Sequence, residues 1–174
     1  MKETVIFKKS FYQSKLSNAH LLETVRTFII ENKEKFTERS WDCNINTSQN
    51  KFKNILYEVE EFKYITENIE KEIKTLLKAP FMIAGSWINI LNENGYQEFH
   101  QHVVQGEKYK EGSGVLYFTK DNSNIEFAYF PEKIRFTLKP EEGDIIIFDS
   151  DLFHRVVDSK KKRISLAFNF KYDW

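Results

Sequence analysis

The chain has 174 residues, 26 basic and 26 acidic side chains, 41% hydrophobic residues and 30% charged ones. That suits one domain with a self-sufficient core, and the balanced charge gives no electrostatic footprint for a nucleic-acid partner. A lone cysteine, Cys43, excludes an intrachain disulfide; with no signal-type apolar opening and no membrane-length apolar run, the expected setting is cytoplasmic.

Sixteen Phe and eight Tyr favour pleated, half-buried surfaces, so substantial sheet is expected. Thr4–Phe7 reads as a short opening strand. From about Asn18 to Lys33, Leu21, Leu22, Val25, Phe28 and Ile29 make one apolar helical stripe, with Ser17 or Asn18 able to cap its start. A second helical stripe runs from about Lys51 to Lys78 through Phe52, Ile55, Leu56, Val59, Phe62, Ile69, Ile73, Leu76 and Leu77. The stretch around Trp41 to Asn50 reads as a loop. Both helices carry packing rather than chemistry.

After Pro80 the period drops to two. Strands are expected at Phe81–Leu91, Glu98–Val104, Gly114–Thr119, Ile125–Phe130, Ile134–Leu138, Asp144–Phe148, His154–Asp158 and Arg163–Tyr172. Turn signals at Glu93-Asn94-Gly95, Asp121 to Asn124, Pro131-Glu132 and Pro140 to Gly143 separate them. Short strands at such regular spacing suggest a jelly roll. The expected architecture is therefore mainly β (α+β). A jelly-roll core spans residues 80–174, and residues 1–79 form a helical support packed on one of its sheets, all in a single domain.

Three of the four histidines fall in this β half. His100 and His102 are two apart on an expected strand, so both imidazoles point to one face. His154 opens a later strand. Two near ligands and one remote ligand make a three-coordinate metal site with positions left open for substrate and O2. An HxH pair alone is a weak signal, because surface strands often expose alternating polar residues. Beyond His154 the alternation is more informative: Arg163, Ser165, Ala167 and Asn169 share one face, and Ile164, Leu166, Phe168 and Phe170 the other. The second face is core. The first suits the inside of a pocket in which a guanidinium forks onto a carboxylate and a Ser hydroxyl assists. Tyr117, alternating with Val115 and Thr119, could bring a phenol to the same group. Asn89, between Trp87 and Leu91, could line the pocket or serve backbone groups. Trp87, Phe99, Phe148 and Phe153 are candidates for its dry wall.

Taken in order, Trp87-x-Asn89, Gly95-Tyr96-Gln97, His100-x-His102, Ser113 to Tyr117, Glu142-Gly143-Asp144 and His154 followed by Arg163-x-Ser165 resemble the iron(II)- and 2-oxoglutarate-dependent oxygenases. The branch most similar is common in phage and marine bacterial genomes, and the likeness spans roughly Phe81 to Asn169. It implies a double-stranded β-helix, which is the jelly-roll core under another name. It also implies Fe(II) bound by His100 and His154, and 2-oxoglutarate bound through Arg163 with Ser165, Tyr117 and Asn89 as helpers. The implied activity consumes O2 and couples oxidative decarboxylation of 2-oxoglutarate to oxidation of a C–H bond in a small-molecule or protein substrate.

One departure stands out. The superfamily's short motif is usually His-x-Asp, whereas His102 takes the place of the Asp. His102 then becomes the third ligand, or Glu98, Asp149 or Asp151 supplies a carboxylate or orients an imidazole. Two rival readings remain at this stage. One is a cupin-like three-histidine metalloenzyme that uses no 2-oxoglutarate; the other is a jelly-roll binding module without catalysis.

Overall fold

The computed structural model describes residues 1–6, 9–40, 44–102, 110–120, 123–130, 133–157 and 159–172. Phe7, Trp41, Cys43, Val103, Val104, Asp121, Asn122, Pro131, Glu132 and Asp158, which figure in the expectations above, lie outside the described residues. No helix is long and apolar enough to cross a membrane.

Two antiparallel sheets face each other. The larger joins β1 (Lys2–Ile6), β2 (Lys9–Lys15), β3 (Glu38–Ser40), β4 (Ile45–Thr47), β5 (Phe81–Leu91), β7 (Lys110–Tyr117), β10 (Asp144–Asp149) and β12 (Arg163–Tyr172) in the order β1-β2-β10-β7-β12-β5-β4-β3. The smaller holds β6 (Gln97–His100), β8 (Ile125–Tyr129), β9 (Ile134–Leu138) and β11 (Phe153–Val156) in the order β6-β11-β8-β9. This is the expected jelly roll, with the expected strands after Pro80 in place except that over Glu98–Val104: β6 ends at His100, so His102 lies beyond the strand rather than on it.

The short strand expected at the start of the chain is β1, but the N-terminal stretch adds more sheet to its expected helices. It supplies β1 and β2 to one edge of the large sheet and β3 and β4 to the other. The stretch read as a loop around Trp41 to Asn50 thus contains β4. At three residues each, β3 and β4 are too short for an alternation signal, and β2 and β4 pair with the open edges of β10 and β5.

Helix α1 (Ala19–Glu31) is capped by Asn18, whose side chain accepts from the Leu21 N–H at 3.0 Å. A short α2 (Lys33–Phe36) follows it. The expected long second helix is broken into α3 (Ile55–Glu58), a 3-10 turn at Glu60–Phe62, and α4 (Lys63–Leu77). The break falls at Val59, which is extended at φ −125°. The physical cause lies in β5: Ser86 Oγ accepts from the Leu56 N–H at 3.0 Å, and Asn54 donates to the Ile83 carbonyl at 2.9 Å. The first turn is thereby pinned to the sheet, and α4 must start again at its own angle.

Leu22, Val25, Ile29, Ile55, Leu56, Phe62, Ile65, Ile69 and Ile73 pack on the outer face of the large sheet, against Ile88, Ile90, Leu116, Ile145, Ile147, Ile164, Leu166, Phe168 and Phe170. Gly112 and Gly114 lie opposite Phe170 and Phe168 in the ladder. The rings lie over these glycines so closely that an added Cβ would come within 2.1 Å and 2.2 Å of them. Between the sheets, Phe11, Val115, Tyr117, Ile146 and Phe148 meet Ile125, Phe127 and Leu152. The remainder of that space is the cavity described next.

Candidate active site

The faces of β12 divide as the alternation requires. Ile164, Leu166, Phe168 and Phe170 enter the helix-covered core, while Arg163, Ser165, Ala167 and Asn169 line a cavity between the sheets. Ser165 lies opposite Asn89 on β5 and Tyr117 on β7, so these three positions form one row across adjacent strands. Ala167 begins the next row with Trp87 and Val115.

His100 and His154 are cross-strand partners on β6 and β11, and their rings are 4.3 Å apart between centres. His102 follows just beyond β6, held by its backbone N–H donating to the Ser150 carbonyl at 2.9 Å. Its ring lies 5.1 Å from each of the other two. Each imidazole offers a nitrogen, and these nitrogens all lie within 4.8 Å of one another. Nδ1 of His100 donates to the Glu98 carbonyl at 2.8 Å, and Nδ1 of His154 to the Leu152 carbonyl at 3.0 Å. A backbone acceptor fixes the proton on Nδ1, which leaves the Nε2 lone pair for a metal.

Burial keeps all three rings neutral. Desolvation lowers the pKa of His100, and with the added repulsion of His100 it brings His102 down to about 4. His154, buried deepest, is lowered well below the usual value by desolvation and then by His100. Phe148 and Phe127 pack on its ring at 4.7 Å and 6.3 Å.

The carboxylates considered as alternatives lie elsewhere. On β11 His154 and Val156 are two positions apart, but their partners on β6, His100 and Gln97, are three apart. That bulge carries Gln97 round to the cavity and leaves Glu98 exposed. Asp151 and Asp149 face Lys9, at 2.6 Å and 3.8 Å. Among the described residues, only the three histidines cluster at metal-binding distance.

Arg163 is 2% exposed, and its guanidinium lies 4.7 Å from the centre of the Tyr117 ring. It makes one weak contact, NH1 to Ser123 Oγ at 3.3 Å, and no ion pair with a described residue. Its Nε and the Tyr117 hydroxyl are buried without a hydrogen-bond partner among the described residues. Desolvation lowers the Arg163 pKa and raises that of Tyr117. A buried, unpaired guanidinium is costly, and a carboxylate ligand removes that cost. The residues present therefore fit both groups: three neutral imidazoles for a divalent metal, and an orphaned guanidinium with a phenol for a distal carboxylate.

The sequence of residues 85–169 matches the family model described as "Putative 2OG-Fe(II) oxygenase". The part of the chain from strand β5 to the end of the cavity-lining face of β12 thus carries the pattern of the 2-oxoglutarate- and iron(II)-dependent oxygenases. The cofactors that this description names, Fe(II) and 2-oxoglutarate, are the groups that the residues of the site fit. No curated protein sequence matches the chain. Solved structures with the same fold include a prolyl-4-hydroxylase from Pseudomonas putida, 13% identical, with a TM-score of 0.74 over 96% of this chain and 95% of that one. HygX from Streptomyces hygroscopicus, bound to nickel and 2-oxoglutarate, is 8% identical with a TM-score of 0.72 over 94% and 83% of the two chains. A prolyl hydroxylase from Trichoplax adhaerens, in complex with a hypoxia-inducible-factor peptide, is 11% identical with a TM-score of 0.71 over 94% and 83%. At these identities the likeness is one of fold.

Of the expected wall residues, Trp87 and Phe148 line the cavity. Phe99 and Phe153 do not. Each immediately precedes a site histidine in a strand, so alternation turns it outward, and both rings pack on Phe130 at 5.4 Å and 4.8 Å. Sequence reasoning passed over Ser113, Gln97 and Asn169 as site residues, although Asn169 shares the face of Arg163 and Ser165.

Proposed function

We propose that the chain holds one iron(II) ion through His100, His102 and His154. In this reading it grips the distal carboxylate of 2-oxoglutarate with Arg163, Tyr117, Ser165 and Asn89, and hydroxylates a C–H bond of a small molecule or protein. The observation that carries the reading is Arg163: a buried guanidinium with an orphaned Nε, on the same cavity wall that faces three neutral imidazoles. It also favours 2-oxoglutarate use over a three-histidine enzyme that needs none, because that alternative leaves the guanidinium unexplained.

Iron(II), when bound, supplies the O2-dependent decarboxylation of 2-oxoglutarate to succinate and CO2 that drives the C–H oxidation. The chain's own residues do the positioning. His100 and His154 present fixed lone pairs because Glu98 and Leu152 carbonyls hold their Nδ1 protons. Arg163, which is buried, supplies a bidentate donor set, and the Ser165–Asn89–Tyr117 row lies beside it. Trp87 and Phe148 exclude water from the reacting end.

The test is turnover: iron-loaded protein given 2-oxoglutarate and O2 should release succinate, and Arg163→Ala should lose that release while still binding metal. Metal binding without any 2-oxoglutarate binding would overturn the reading. Because prolyl hydroxylases are among the structural neighbours, prolyl peptides are the first substrates to try.

A further inference from the structure

The cavity has a second polar pole. Asn169 stands six residues along β12 from Arg163, on the same face, which places the two about 20 Å apart along an extended strand. The histidine cluster lies between them: His102 is 5.8 Å from Trp87 between ring centres, and Trp87 is the ladder partner of Ala167. A co-substrate reaching from Arg163 to the histidines therefore leaves Asn169 on the far side of the cluster, where the group to be oxidised must enter.

The orientation of Asn169 is fixed from behind. The buried Ser113 hydroxyl donates to Asn169 Oδ1 at 2.8 Å and lies 2.8 Å from the Ser150 hydroxyl. Since Ser113 spends its proton on Asn169, Ser150 donates to Ser113. With Oδ1 occupied, the Asn169 amide is left with its NH2 group, which has no partner among the described residues and borders the cavity. Apart from Arg163, no charged side chain lines the cavity among the described residues. A charged substrate group would lose its hydration here with nothing to replace it, whereas a carbonyl gains a directed donor.

We propose that Asn169, held by Ser113 and Ser150, is a specificity-determining residue that donates its amide N–H to a carbonyl of an uncharged, amide-type substrate. This rests on the reading of the metal and 2-oxoglutarate sites above.

The test uses the full chain loaded with Mn(II) and 2-oxoglutarate without O2, and reads paramagnetic line broadening of added probes. Three probes of similar size are compared: N-acetylglycinamide, the anion N-acetylglycine and the cation glycinamide. Broadening of the 2-oxoglutarate methylene protons reports on the underlying reading separately, and its absence in every sample means that reading has failed. Where it is present, N-acetylglycinamide should be broadened most. Asn169→Ala and the isosteric Asn169→Asp should weaken that probe by about three- to ten-fold, the range for one neutral hydrogen bond, and leave 2-oxoglutarate broadening in place. Ser113→Ala, which frees the amide to turn, should produce a smaller loss. The proposal is overturned if the charged probes are broadened as much, if N-acetylglycinamide is not broadened, or if both Asn169 variants match the unaltered protein.

Discussion

Arg163 lies with its guanidinium 4.7 Å from the ring centre of Tyr117, and both residues keep a buried polar atom without a partner among the described residues: Nε on the arginine and the hydroxyl on the tyrosine. Arg163 lines the cavity and Tyr117 packs against its guanidinium, so one ligand reaching Arg163 can serve both groups. Their substitution effects then differ in sign between the free and bound protein.

Arg163→Ala should weaken 2-oxoglutarate binding by about 2–5 kcal/mol, the cost of breaking a buried charge pair, with metal affinity nearly unchanged. Tyr117→Phe should be milder, about 0.5–1.5 kcal/mol weaker. In the ligand-free protein it should raise the urea midpoint, since it removes a buried hydroxyl that has no partner. Titration calorimetry with 2-oxoglutarate and denaturation on the same samples check both halves. A Tyr117→Phe protein less stable without ligand would contradict the assignment.

The ligand set turns on His102. His102→Ala should lose most metal binding, and His154→Ala nearly all of it. His102→Asp should retain a metal by restoring the superfamily's usual carboxylate. Glu98→Gln should bind normally, because the β6 bulge leaves Glu98 exposed. Cobalt(II) titration followed by its visible ligand-field bands reads all four variants. Normal cobalt binding by His102→Ala would remove it from the coordination sphere.

Acid should destabilise the metal-free protein through the same three residues. Burial lowers their folded-state pKa values, that of His102 to about 4, whereas an unfolded histidine titrates near about 6.5. Below that pH the unfolded chain takes up protons that the folded rings refuse. Their contribution to stability is therefore complete above about pH 6.5 and is lost as the pH falls below it, that of His102 towards about 4. Urea midpoints measured across this window should fall less steeply for His102→Gln than for the unaltered chain. Parallel curves would mean His102 is not buried in neutral form.

The helix-covered core makes its own demand at Gly114. An added Cβ would lie 2.2 Å from the Phe168 ring, so Gly114→Ala should cost about 1–3 kcal/mol of stability through overpacking. Phe168→Ala should cost about 3–5 kcal/mol by leaving a cavity. The double variant should cost less than the sum, because each change relieves the other. Strict additivity in urea denaturation would argue that the ring does not lie over the glycine.

Much of this was legible in the sequence because it depends on local periodicity. A two-residue repeat is a property of the extended backbone itself, so Arg163 and Ser165 had to part from Ile164 and Leu166. The same repeat, with the motif order, pointed to His100, His102 and His154. The stripe of Leu22, Val25 and Ile29 likewise dictated which side of α1 is buried. What the tertiary structure decided depends on remote partners. The bulge that turns Glu98 away from the histidines exists because β6 pairs with β11. Asp149 and Asp151 are drawn to Lys9, more than a hundred residues earlier in the chain. The second helix breaks at Val59 because Ser86 and Ile83 on β5 pin its first turn. The direction of the Asn169 amide is set by Ser113 and Ser150, on a neighbouring strand and a turn. Periodicity assigns a side chain to a face; only contacts between distant segments fix what it meets there.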